Sequence, residues 1–192
     1  MHNAKEKIIS ITTQLIENNN GNIADITARE ISEKAGVGLG LINYHFGSKE
    51  NLITVCVQRI IENVIIDSAA EKEYDTDKAR LSAWATFVFN FLFEHPAISR
   101  ISILADMQNY TSDSNSVDTL RGFIPAIRSD MDDSDKVFLS FILTASMQVA
   151  FLGCDIVKEL LGYDFSLLKD RAAYIEKTVS ILLKEDRKPV QE

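Results

Sequence analysis

Residues 26–36, Ile-Thr-Ala-Arg-Glu-Ile-Ser-Glu-Lys-Ala-Gly, carry both ends of one short helix, which confines this part of the chain to helices joined by a tight turn. Thr27 and Glu30 have the T-x-x-E spacing of a capping box, in which side-chain oxygens satisfy N–H groups that the first helical turn leaves unpaired. Ile26 and Ile31 flank it as a hydrophobic staple would. Gly36 is the residue type that takes a left-handed C-terminal turn without a Cβ penalty. A helix opening at Ala28 therefore buries Ala28, Ile31 and Ala35 and stops at Gly36. A second short helix is predicted over 38–46, broken by Gly47-Ser48.

Helical punctuation continues along the chain, and no run of alternating β-branched residues bounded by turn signals competes with it. The chain reads as all-α. In the first helix Ala4, Ile8, Ile11 and Leu15 make one apolar stripe, ended by Asn18-Asn19-Asn20-Gly21. Ser48 caps a long fourth helix whose Leu52, Ile53, Val55, Val57, Ile60, Ile61 and Val64 leave little polar face, so other helices must cover it. It is read as the link between a head, 1–48, and a larger helical domain, 49–192. Beyond the charged stretch 71–78, helices are predicted over 79–94 and 97–107 and a loop over 110–118. Pro125 is placed in or near the opening of a short helix ending by 130, and two long helices span 133–161 and 165–186.

The balance of 46% apolar and 25% charged residues is that of an ordinary globular protein. Cys56 and Cys154 stand far apart, without CxxC or Cys/His spacing, so no disulfide framework, metal site or cofactor is expected, and a reducing cytoplasm is the expected compartment. A net charge of −8 weighs against nucleic acid, because non-specific affinity comes from Lys and Arg neutralising phosphates. Locally the objection weakens: Lys5, Lys7, Arg29, Lys34 and Lys49 nearly balance Glu6, Glu17, Asp25, Glu30, Glu33 and Glu50, and the excess acid lies downstream.

Two short helices joined at Ala35-Gly36-Val37-Gly38 have the dimensions of a DNA-binding helix-turn-helix, and equally those of a plain helical hairpin. The order and spacing of Thr27-Ala28-Arg29-Glu30-Ile31, Ala35-Gly36-Val37, Tyr44-His45-Phe46 and Ser48-Lys49-Glu50-Asn51-Leu52 resembles the TetR family of bacterial regulators. The resemblance covers residues 4–52 and favours the DNA-binding reading. It implies that Ile42 and Phe46 are the buried side of the recognition helix. Gly38, Leu39, Gly40, Leu41 and Asn43 then face the groove, Thr27, Arg29, Tyr44 and Lys49 hold phosphates, and His45 packs or touches phosphate. Free N–H groups at helix starts add to that grip without needing a basic domain. Asn43 stands where many relatives carry Tyr, and the groove-facing residues are nearly without polar side chains. Base contacts are therefore expected to be sparse, with Asn43 suited to adenine and Leu39 and Leu41 to thymine methyls, which predicts an A·T-rich operator.

Downstream, the likeness is only in being all-helical. Trp84, Phe87, Phe91, Met107, Tyr110, Met147 and Phe151 supply large apolar surface, residue by residue ordinary core, and together what the family resemblance implies is an effector pocket. With no buried basic residue evident, an apolar or aromatic small molecule is the expected ligand. Leu168, Ala172, Ile175, Val179 and Leu182 recur at coiled-coil spacing, so this last helix is expected to pair with the one carrying 137–154, and two such helices from each of two chains would form the four-helix homodimer interface that the resemblance also implies. The uncharged run 137–154 has the length of a membrane span, but Ser140, Thr144, Ser146 and Gln148 dilute it and no membrane is expected. The resulting expectation is a dimeric, ligand-responsive repressor on a palindromic double-stranded operator. Its alternative is a small-molecule carrier or helical enzyme, for which no Ser/His/Asp set, paired carboxylates or phosphate loop is seen, so no catalytic residue is assigned.

Overall fold

The computed structural model describes residues 2–19, 23–68 and 74–183, with side chains at 4–19, 23–60 and 74–183. The described residues form ten α-helices and a single 3-10 turn. The expected Asn20-Gly21 helix stop, the apolar contributions of Ile61 and Val64, part of the 71–78 stretch and the last helix beyond 183 lie outside the described residues. By packing, the chain forms two compact units, Met1–Glu71 with His95–Tyr110 and Lys72–Glu94 with Thr111–Glu192. The first unit is wider than the 1–48 head.

In the first unit, α1 (His2–Asn18), α2 (Ala28–Ala35), α3 (Gly40–Phe46), α4 (Lys49–Ser68) and α6 (Pro96–Gln108) enclose one apolar core. The stripe on α1 is broader than its four-three spacing suggests: Ile8, Ile9, Leu15 and Ile16 are all buried. They meet Ile31, Ala35, Ile42, Phe46, Leu52, Ile53, Val57 and Ile60, and α6 closes over α4 with Ile98. The Cys56 thiol is buried among them and reaches Ile9 O at 3.6 Å; burial pushes its pKa to about 11.

The second unit holds α5 (Asp77–Glu94), α7 (Asn115–Phe123) with the 3-10 turn Ile124–Ala126, α8 (Asp133–Leu152), α9 (Cys154–Leu161) and α10 (Leu168–Leu182). The loop expected over 110–118 is shorter, because α7 already begins at Asn115, and the Ser114 hydroxyl before it accepts from Thr111 N at 3.1 Å instead of capping the helix. Pro125 stands in the opening of a short helix as expected, here the 3-10 turn: its ring has no N–H to continue the α7 ladder, and the chain tightens there. The helix expected over 133–161 divides at Gly153, whose N–H still bonds Val149 O at 2.9 Å before the axis changes.

At the opening of α5, Asp77 accepts hydrogen bonds from Arg128 N (3.0 Å) and Ser129 N (2.9 Å) and pairs with Arg80 at 2.7 Å. Arg80 in turn donates to Ala126 O and Tyr74 O. Burial pushes the Asp77 carboxyl up, but those two N–H groups and the guanidinium outweigh it and hold its pKa below the ordinary value. By length and composition alone α8 is long and apolar enough to cross a membrane. Its Leu139, Leu143, Met147, Ala150 and Phe151 are core residues packed against α5, α7 and α10.

Candidate nucleic-acid interface

The two ends of α2 form as the sequence dictates. Thr27 Oγ1 accepts from Glu30 N at 3.1 Å, while the Glu30 carboxylate pairs forward with Lys34 at 3.0 Å. Half of the capping box is therefore built, and an i,i+4 ion pair replaces the other half. Gly36 sits at φ 61°, its N–H bonded to Glu33 O and that of Val37 to Ser32 O, which closes the helix and turns the chain.

The second helix starts two residues later than expected, at Gly40. Gly38 O and Leu39 O accept from Leu41 N and Ile42 N in i→i+3 fashion, so its opening is a tight turn. α3 buries Ile42 and Phe46 on one side. The opposite side presents Gly38, Leu39 (53% exposed), Gly40, Asn43 and Tyr44 (67% exposed), with Leu41 and His45 half-buried. Neither Gly38 nor Gly40 has a positive φ, and a Cβ added to either would meet nothing within 4 Å. The fold therefore gives no reason for glycine at these two positions.

Two contacts that sequence spacing does not announce fix this helix-turn-helix onto α4. Lys49 Nζ, in the first turn of α4, donates to Ile26 O at 3.1 Å, which brings its ammonium to the residue preceding Thr27. Asn51 Nδ2 donates to Phe46 O at 3.0 Å, while Ser48 Oγ caps Asn51 N. Thr27, Lys49 and the start of α2 thus form one group, and Arg29 lies exposed next to it, paired with Glu33 at 2.8 Å.

Of the residues expected to surround an effector, Met107 and Tyr110 are each about half exposed and belong to the first unit, the others to the second. Within the second unit Trp84 stacks on Phe87 at 5.3 Å, and Phe91, Met147 and Phe151 are buried core. An open groove of about 460 Å³ runs between α5 and α10. It is lined mainly by small or polar residues such as Ala79, Ser82, Thr86 and Ala172, none of them in the expected pocket set, Ala172 belonging to the expected seam.

The predicted seam on α10 is also split. Ile175 and Val179 are fully buried within their own protomer, whereas Leu168 and Ala172 are exposed. Ile175 and Val179 are therefore not available to a partner: the heptad spacing marked the face that α10 turns to its own core, alongside Tyr174 and Arg171. Large uncovered apolar side chains of this region lie on α8, at Val137, Phe138, Phe141 and Val149, on α9, at Ile156, Leu160 and Leu161, and on α10, at Leu168 and Ile181. Arg171 also overturns the expectation that no basic residue is buried; among the charged side chains of the second unit it is buried, with its guanidinium over Phe93.

Residues 21–56 match the family model described as bacterial regulatory proteins, tetR family. Over 96% of this chain and 97% of the other, the fold matches the crystal structure of a TetR transcriptional regulator from Rhodococcus sp. RHA1, at a TM-score of 0.64 and 16% sequence identity. No curated protein matches the chain.

Proposed function

We propose that this chain, a DNA-binding transcription regulator of TetR type by its family-matched head and its fold, is a homodimeric repressor released from a palindromic operator by a small apolar or aromatic molecule. The observation that carries the reading is the division of α3 into a buried side, Ile42 and Phe46, and a bare exposed side of Gly38, Leu39, Gly40, Asn43 and Tyr44. Such a helix enters a major groove with its exposed side and leaves positioning to phosphate contacts. Thr27, whose hydroxyl still has its proton to donate, Tyr44, Arg29 and Lys49 supply those contacts in this reading, with His45 beside Tyr44 at a ring separation of 5.0 Å.

Asn43 and the Leu39 and Leu41 side chains favour an A·T-rich operator. The dimer face proposed here is the apolar side of α8, with Phe138 64% and Phe141 49% exposed, since exposed apolar patches on a soluble chain mark contact surfaces and like chains pair most often by a two-fold axis. Mobility shift with the DNA upstream of the chain's own gene tests the reading, together with site selection from random duplexes. Specific, salt-sensitive binding to an A·T-rich inverted repeat is expected; absence of a shift at low salt overturns it.

A further inference from the structure

Arg171, in the first turn of α10, is 8% exposed. Its Nε donates to Phe165 O at 2.6 Å, Nη1 reaches Asn90 Oδ1 at a long 3.4 Å, and the guanidinium carbon lies 4.7 Å from the Phe93 ring centre. A guanidinium has five N–H donors, and only these two bonds are made among the described residues. Arg29, Arg59, Arg80 and Arg121 each have a carboxylate partner. Arg171 is more buried than any of these four and has none among the described residues. The acids nearest in sequence are engaged elsewhere: Asp170 accepts from Asp164 N, and Asp164 binds Lys158 and Ser166. Removing a cation from water is costly unless an anion or enough acceptors replace the water, and here neither is complete.

The surroundings narrow the class of anion. Phe89, Phe165 and Tyr174 are buried around the site, while Phe93 and Tyr163 are only half-buried and form its rim. Phe93 and Tyr163 each stand within 5.5 to 6.3 Å of Phe165. A flat ring lying against that rim would bring an acid group to the guanidinium, which accepts carboxylates in a bidentate, planar fork.

We propose that the effector is a small aromatic carboxylate, its acid group paired with Arg171 and its ring against the half-buried Phe93 and Tyr163. The proposal rests on reading the second unit as the effector-binding part. If Arg171 served only to pin the segment before α10 to α5 through Phe165 O and Asn90, an acid and its amide would be indistinguishable to the protein.

The test is titration calorimetry and thermal melting of the full-length protein with benzoate and phenylacetate against benzamide and phenylacetamide. The acids are expected to bind about tenfold more tightly than their amides, the worth of a charge-assisted hydrogen-bonded pair, and to raise the melting temperature. Arg171→Met is expected to abolish the preference, and Arg171→Lys, which keeps the charge without the fork, to weaken it. Equal binding of acid and amide, no binding of either acid, or a preference that survives in Arg171→Met overturns the proposal. The wild-type comparison decides even where the Met variant fails to fold. Mobility shift separates this from the parent reading: acid binding without operator release supports Arg171 and counts against induction, while operator release by a neutral molecule alone overturns Arg171 and leaves induction standing.

Discussion

At the residue scale, the three glycines around the turn separate fold from function. Gly36 holds φ 61°, so Gly36→Ala forces an L-residue into the left-handed region and is expected to destabilise the head by about 1 kcal/mol or more. Gly38 and Gly40 hold no such conformation, and a Cβ at either meets open space. Gly38→Ala and Gly40→Ala are therefore expected to leave the melting temperature unchanged or raise it, by up to about 1 kcal/mol of stability for Gly40 inside the helix. Operator affinity is expected to fall in both, because the added methyl occupies the space the DNA needs. Calorimetric melting and gel shift of the three variants check this contrast, and undiminished DNA binding in the last two would remove the close-approach reading.

Among the elements, α2 was readable to the residue because its two ends are local chemistry: Thr27 at the start and Gly36 at the end act through their own backbone neighbours. The seam on α10 was not readable in that way, and how the pocket set groups depends on more than local spacing. Ile175 and Val179 are apolar at coiled-coil spacing whether α10 faces its own core or another chain, and the period carries no statement of which. Likewise Met107 and Tyr110 are large and apolar but lie on another packing unit from Trp84 and Met147, a matter of tertiary assembly. Arg171 gave no sequence signal because its burial depends on the turn that brings Phe165 O to it. The dimer face proposed on α8 predicts that Phe141→Glu shifts sedimentation toward the monomer at micromolar concentration with the helical content unchanged. A second element-level prediction concerns acid. The Asp77 pKa is lowered by its Arg128, Ser129 and Arg80 partners, so its stabilising contribution is full above the ordinary value of 3.8 and fades as pH falls through the lower folded value. Acid unfolding curves of wild type and Asp77→Asn are expected to differ at neutral pH and converge in strong acid.

For the whole molecule, a net charge of −8 and DNA binding are compatible only if grip is local and sparing of cations. If Arg29 and Lys49 of each head hold phosphates in the proposed dimer, log affinity against log salt is expected to fall with a slope of about −4, at roughly −0.9 per phosphate neutralised. A slope near −10 would require a basic surface that residues 1–50 do not have. The apolar core that holds the head to α4 and α6 also encloses Cys56, whose thiol is wholly buried and hard to ionise. The thiolate is what attacks an alkylating reagent, so Cys56 is expected to react only in the moments when that core comes apart, while partly exposed Cys154 is expected to react at once and serves as the internal reference. The slow phase of thiol labelling is thus a built-in clock for opening of the head. It should run faster in Gly36→Ala and slower when operator DNA is bound.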